Sequence, residues 1–229
     1  SPLQVQSLDR VNREKAREVV ARGEKRGHLL LLESLQLLEH YGLPVPAYAL
    51  VKTEAEALQF RRASKGPMAM KINSPHFSHK SDLGAVLLNI RTQAEAERAF
   101  RKLAALGGEE TEVLVQSMVT RGREVILGGK RDQSFGPIVL FGLGGIFVEA
   151  LKDVVWRVAP LSYEEARKMI GSIRGARVLQ GIRGEKPCDI ETVADLLVRL
   201  SNMLIDLPQI QEIDINPVLV FPENEGAQA

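Results

Sequence analysis

Four short segments carry more chemistry than packing alone requires. The first is Met68-Ala69-Met70-Lys71-Ile72, an apolar run holding one lysine. An ammonium among apolar neighbours is costly unless an anion meets it. The loop beyond it reads His79-Lys80-Ser81-Asp82 and offers imidazole, ammonium, hydroxyl and carboxylate in consecutive positions. Such a set suits the handling of phosphate. The third segment, Gly142-Leu143-Gly144-Gly145, lacks Cβ atoms at three positions, so backbone amides there can approach an anion closely. It does not end in the lysine–serine of a Walker A loop. The fourth is Glu212-Ile213-Asp214-Ile215-Asn216-Pro217, in which period-two geometry sets Glu212, Asp214 and Asn216 on one strand face. Hard Mg²⁺ takes such oxygen donors together with nucleotide phosphates.

Each segment also has a plainer reading. Lys71 alone fits a solvated side chain on the exposed face of an edge strand, and His76 or His79 fits a loop histidine in water. The glycines fit a turn between a strand and a helix, and the acidic strand fits a solvated sheet face. A neutral imidazole with a pKa near about 6.5 is nevertheless able to attack phosphorus at neutral pH.

These segments need elements to hold them. Asp9 to Arg26 reads as a polar helix with a thin apolar stripe (Val11, Ala16, Val19, Val20) of the kind that packs on a neighbouring surface. Leu29 to Tyr41 reads as a more apolar helix stopped by Gly42 and Pro44. Strands are expected at Ala47–Val51, Met68–Ile72, Ala85–Ile90 and Glu112–Met118, with capping boxes at Thr53/Glu56 and Thr92/Glu95 opening helices between them. The second half gives strands at Arg123–Lys130, Ile138–Phe141, Val154–Val158 and Ile210–Phe221. A helix capped by Ser162 and Glu165 reaches Ile170, and a long one spans Ile190–Ile205. The polar tail from Glu223 is expected to fray. Periodicity alone gives α/β or α+β, with a lobe boundary near Ser117-Met118.

Bulk properties narrow the class. Lysine plus arginine number 30 against 29 aspartates plus glutamates, so no field of one sign points to nucleic acid or an anionic membrane. The only cysteine, Cys188, rules out an intrachain disulfide and suits a reducing cytoplasm. No apolar run approaches the roughly 18–20 residues of a spanning helix, and the charged stretch from Asp9 to Arg26 is no signal peptide. The chain opens on Ser1 rather than methionine, as a processed, tagged or excised chain does. A soluble cytoplasmic protein is expected.

The motifs agree in order and spacing with one family. Lys71-Ile72 with Ser74-Pro75, His79-Lys80-Ser81-Asp82 with Gly84, Val115-Gln116, Gly122 and Glu124 come first. Arg131-Asp132, Phe135-Gly136-Pro137, Phe141 to Gly145, Lys152-Asp153 and Glu212 to Pro217 follow. From His28 to the C-terminus the chain resembles the ATP-grasp beta subunit, or beta domain, of the ADP-forming acyl-CoA synthetases, relatives of succinyl-CoA synthetase. The resemblance implies an α+β ATP-grasp fold, two lobes clasping a nucleotide. It implies a helical extension over residues 1–27, an N-terminal lobe over 28–117 and a C-terminal lobe over 118–229. ATP/ADP and Mg²⁺ are the implied cofactors. The implied partner is an alpha subunit or domain that binds CoA and forms the acyl phosphate, giving a hetero-oligomer.

The same resemblance assigns roles. Lys71 contacts nucleotide phosphate, Gln116, Ser117 and Met118 read adenine chiefly through their backbone, and Glu124 lies near the ribose or phosphates. Gly144 and Gly145 let backbone amides approach phosphate, and Asp214 and Asn216 hold Mg²⁺. His79 is a transient phosphate carrier, Lys80 offsets the charge on the phosphorylated loop, and Asp82 orients the imidazole or anchors the loop. Ala85 stands where the family pattern has a second glycine, and Ser117 where it has an acidic residue. Members of the family usually continue beyond the position of Ala229 into another strand whose aspartate supplies a further Mg²⁺ ligand. Two other readings are a non-catalytic regulatory ATP-grasp domain of an acyltransferase-type fusion and an ATP-grasp ligase for a different carboxylate. The latter needs neither an alpha partner nor His79.

Overall fold

The computed structural model describes residues 8–76, 84–108, 111–145, 153–181 and 184–229. They form two compact units. The smaller comprises Arg22–Gln36 and Pro46–Thr120, and the larger comprises residues up to Ala21, Leu37–Val45 and Arg121–Ala229. Helices α1 (Arg13–Glu24) and α2 (Leu31–His40) are divided between them, so the units are not contiguous halves of the chain.

In the smaller unit, β1 (Tyr48–Val51), β2 (Met68–Ile72), β3 (Val86–Ile90) and β4 (Val113–Ser117) make an antiparallel sheet in the order β1-β4-β2-β3. Helices α3 (Glu54–Ala63) and α4 (Gln93–Gly107) open on the capping boxes read in the sequence. In each, the threonine hydroxyl accepts the N3 backbone N–H while the N3 glutamate reaches back to the cap. Alternation then sorts the strands. Met68, Met70, Ile72, Val113 and Val115 pack with Ala57, Ala96, Phe100 and Leu103 of the helices. Ala69, Lys71, Leu114 and Gln116 lie on the opposite sheet face. A bulge in β3 interrupts its pairing with β2. Asn89 takes φ 59° there, a left-handed conformation that asparagine tolerates better than most residues.

In the larger unit, β5 (Arg123–Asp132), β6 (Gly136–Leu143), β7 (Val154–Val158), β8 (Glu212–Val220) and β9 (Ala227–Gln228) form a five-stranded antiparallel sheet ordered β7-β6-β5-β8-β9. Helices α5 (Tyr163–Gly171), α6 (Ala176–Leu179) and α7 (Ile190–Asp206) complete it. Buried Val193, Leu196, Leu197, Leu200 and Leu204 give α7 an apolar stripe, and α7 packs on β5 and β6. Both sheets are antiparallel, so the architecture is α+β rather than a run of parallel βαβ units. The tail does not fray as expected. Val220 pairs with Ala227, Phe221 N–H donates to the Gly226 carbonyl at 2.9 Å, and Gly226 N–H donates to Asp189 at 3.0 Å. Backbone pairing secures a segment whose polar side chains gave no sign of it. No helix among the described residues is long and apolar enough to cross a membrane.

Long-range polar contacts fix the helix ends. The Arg131 guanidinium donates to the carbonyls of Leu204, Leu207 (3.3 Å) and Ile210 (3.1 Å), meeting acceptors that the end of α7 would otherwise leave open. Arg131→Ala is expected to destabilise the larger unit by about 2–3 kcal/mol, since it strips charge-assisted bonds from several carbonyls at once. Urea unfolding measures this, and an unchanged midpoint would contradict it. In the same unit, Arg13 and Tyr41 converge on Asp206 at 2.7 and 3.1 Å, which ties α1 to the end of α7.

Candidate functional site

Lys71 sits in β2 between β4 and β3, so the edge-strand reading is corrected: the strand is internal. Its direct cross-strand neighbours are Leu114 and Val86, and its half-buried Nζ donates to Gln116 Oε1 at 3.0 Å. Burial lowers the affinity of its amine for a proton. Among the described residues no carboxylate pairs with it. Ser117 N–H donates to the Ala47 carbonyl at 2.8 Å and Met118 N–H to the Pro67 carbonyl at 2.9 Å. Both of these backbone donors are therefore already taken within the unit.

The larger unit gathers a second set. On β5, period two puts Glu124, Ile126, Gly128 and Lys130 on the sheet face turned away from α7. Asp214 lies directly across from Gly128, and Glu212 across from Lys130. The register continues through Gly128–Leu140 and Leu140–Trp156, so Trp156, Leu140, Gly128 and Asp214 lie in one row across the sheet. Lys130 Nζ stands 5.1 Å from the centre of the Trp156 ring. Exposed Asp214 and Asn216 flank buried Ile215, as the alternation predicts. Pro217, with no N–H for the ladder, marks a bulge between the Val125–Val218 and Leu127–Ile215 pairs. The extra residue restores Val218 and Val220 to the buried side.

Desolvation first, then repulsion from Glu212, raises the Asp214 carboxyl above the usual carboxylate range. A divalent cation relieves both costs. Among the described residues, no cluster of His, Cys, Asp or Glu forms a protein-only metal cage. Mg²⁺ does not require one, because it keeps several waters and takes one or two carboxylates plus substrate phosphates. Asp214 and Asn216, with Glu212 beside them, fit that demand.

The glycine turn is locked to Glu124. Gly144 N–H donates to the Glu124 carbonyl at 2.8 Å, and a Cβ on Gly144 would stand 2.7 Å from Glu124 Cβ. At Gly145, where φ is +64°, a Cβ would stand 2.8 Å from Glu124 Oε2. At Gly144 the Glu124 backbone requires glycine, at Gly145 the positive φ favours it while the carboxylate can swing aside, and Glu124, Gly144 and Gly145 share one place on the sheet. His79, Lys80 and Asp82 lie outside the described residues, as does Lys152. His76 is described; its backbone N–H donates to Ser74 Oγ at 3.3 Å.

Other motif residues have structural tasks. Asp153 is buried and accepts the N–H groups of Arg174 (2.8 Å) and Gly175 (2.6 Å) ahead of α6. Asp132 accepts those of Ser134 and Phe135 in the β5–β6 turn, which holds its carboxyl below the ordinary range. Sequence reasoning overlooked two contributors to the site. One is Trp156, whose alternation with Val154 and Val158 signals a second apolar face on β7. The other is the side chain of Gln116.

An ATP-grasp domain model matches residues 20–228. The ADP-forming acetate–CoA ligase I subunit beta of Pyrococcus furiosus is 43% identical over 228 residues, covering 95% of this chain and 96% of that one. The chain belongs to the ATP-grasp domains of the ADP-forming acyl-CoA synthetases. The ADP-forming 4-hydroxybutyrate–CoA ligase of Nitrosopumilus maritimus is 42% identical over 227 residues, covering 96% of this chain but only 32% of that longer one. Within this synthetase family the ATP-grasp domain thus occurs both as a subunit and inside a larger chain. The dinucleotide-forming acetyl-coenzyme A synthetase 1 of Ca. Korarchaeum cryptofilum superposes with a TM-score of 0.80 at 37% identity, covering 93% of this chain and 95% of that one. That synthetase was solved with coenzyme A and Mg-AMPPCP, its phosphohistidine segment pointing towards the nucleotide binding site. The expected α+β ATP-grasp fold is the fold of this chain, and a beta subunit implies a partner subunit.

Proposed function

We propose that this chain is the nucleotide-binding part of an ADP-forming acid–thiol ligase. With an alpha partner that binds CoA and forms the acyl phosphate, it catalyses acyl-CoA + ADP + phosphate ⇌ carboxylate + ATP + CoA. Its own share is phosphoryl transfer between His79 and ADP. The observation that carries this reading is Lys71. A half-buried ammonium that meets a neutral amide, and among the described residues pairs with no carboxylate, keeps its charge available for a phosphate.

In the ATP-forming direction, a terminal oxygen of the ADP β-phosphate attacks phosphohistidine. The P–O bond forms as the P–N bond breaks, and the imidazole of His79 leaves. Positioning and charge stabilisation do most of the work in such a transfer. Lys71 steadies phosphate charge, while Glu124 and the Gly144-Gly145 turn orient the nucleotide on the larger unit's sheet. Lys80 and Asp82 balance and anchor the carrier loop. Asp214 and Asn216 hold Mg²⁺, which when bound neutralises charge on phosphate oxygens. The relay in His79 is supported by the matching loop motif and by the relative's phosphohistidine segment. Shuttling between partner and nucleotide makes the assembly a hetero-oligomer, or a fusion of the two parts. With one cysteine and ATP as substrate, it belongs in the cytoplasm.

Calorimetric titration with ADP tests the reading. Binding is expected only with Mg²⁺ present, and Asp214→Asn is expected to weaken it about 10–100-fold. Failure to bind under either condition would overturn the proposal and favour a regulatory domain without catalysis.

A further inference from the structure

Gln116 enters the family pattern as a marker near the adenine, yet its side chain does something else. Lys71 and Gln116 occupy diagonal positions on one sheet face: Lys71 faces Leu114, and Ala69 faces Gln116. Small Ala69 leaves room for the lysine chain to cross toward β4, where Nζ meets Gln116 Oε1 at 3.0 Å. We infer that Gln116 is a positioning residue that fixes the Lys71 ammonium through a neutral acceptor, orienting the cation without cancelling its charge. For the nucleotide the inference rests on the proposed function; the pairing itself does not.

The choice of an amide is physically meaningful. An apolar residue at 116 would leave a half-buried ammonium without an acceptor, at a cost in both placement and desolvation. A glutamate would form an ion pair and compete with any phosphate for the same cation. The described side chains beside Lys71 on this face are Ala69, Val86 and Leu114, with Tyr48 on β1 beyond Gln116; Glu112, two residues before Leu114 on the opposite diagonal, is a carboxylate and pairs with Lys52 at 3.1 Å. Among the described residues, Gln116 is the side chain that Nζ meets within hydrogen-bond distance, and burial is the cause that shifts its amine.

The test separates pairing from nucleotide binding. Protein labelled with ¹³C at the lysine ε-carbons, free of nucleotide, reports the Lys71 titration by NMR, with Lys71→Met giving the assignment. Gln116→Glu, which keeps the shape, is expected to move the titration to higher pH, and Gln116→Ala to lower pH. Wild type and both variants are then titrated with ADP and Mg²⁺ across neutral to alkaline pH. Gln116→Glu is expected to weaken ADP about tenfold or more despite its more fully protonated lysine, because the carboxylate competes with the phosphate. Gln116→Ala is expected to lose ADP affinity at lower pH than wild type, and on a Lys71→Met background it should have no further effect. If both variants shift the titration in one direction, or leave it unmoved, the pairing is wrong and Gln116 is only a packing residue. If the shifts are opposite but wild type binds no ADP, the pairing stands and the proposed function fails.

Discussion

Replacing His79 with alanine is expected to abolish net ATP formation by the complex with its alpha partner, a fall of about 10⁴-fold or more. ADP affinity should stay within a few-fold of wild type. The asymmetry follows from the role proposed for the imidazole. A covalent carrier is needed at both ends of the relay, and each transfer demands near-contact, in-line geometry. In His79-Lys80-Ser81-Asp82, lysine is protonated at neutral pH and serine is a weak nucleophile without a base, while an acyl phosphate on Asp82 is distinguished from phosphohistidine by its lability in alkali. ADP is held by charge and metal instead, and those groups lie elsewhere in the chain. A coupled assay of ATP formation beside calorimetric ADP binding separates the two effects. Turnover retained by His79→Ala would remove the relay and favour a ligase that acts without phosphohistidine.

Lys71→Met is expected to lower ADP–Mg²⁺ affinity about 100-fold, the loss of one partly buried contact between an ammonium and phosphate. The same variant should melt no lower than wild type. Burial depresses the lysine's pKa in the folded protein, so the folded state holds this proton less tightly than the unfolded chain does. The resulting penalty is fully present below the depressed folded-state value. It fades as pH rises from there toward the ordinary lysine range. Methionine removes the charge, keeps an unbranched side chain and avoids the penalty. The thermal advantage of Lys71→Met should therefore be greatest near neutral pH and shrink in alkaline buffer. A lysine kept only for structure would behave in the opposite way, costing stability and sparing ADP.

Local signals in the sequence are legible where their cause is local. The capping boxes at Thr53, Thr92 and Ser162 are all formed, because the groups that satisfy them lie within three residues. Strand β2 has the bounds expected from its apolar run. Features set by distant partners were not legible. Whether Lys71 lies on an edge or internal strand depends on β3 and β4 flanking β2, which period-two alternation does not encode. Helix α6 is four residues long and is preceded by backbone donors that Asp153 holds from far upstream. Strand β9 owes its order to pairing with β8, not to its own composition.

The candidate site divides along the same line. The one-sided display of Glu212, Asp214 and Asn216 followed from alternation alone, and the β8 surface carries it. The close fit of Gly144 and Gly145 to Glu124 was invisible until β5 and β6 were paired. Arg131, Asp132 and Asp153 look like chemistry in a motif list, yet their visible partners are backbone groups of turns and helix ends. Charged residues in a family signature are thus of two kinds, those that shape the scaffold and those left facing an open surface.

The most direct measurement is phosphorylation of the isolated chain by Mg²⁺ and ATP labelled at the γ-phosphate, without any alpha partner. Transfer from ATP to imidazole is the reverse of the proposed step, so this chain alone should carry it out. The predicted result is acid-labile phosphate on His79, located by mass spectrometry, discharged by added ADP and absent from His79→Ala. A protein that binds Mg²⁺ and ATP but stays unlabelled, or that carries its label on another residue, would contradict the account.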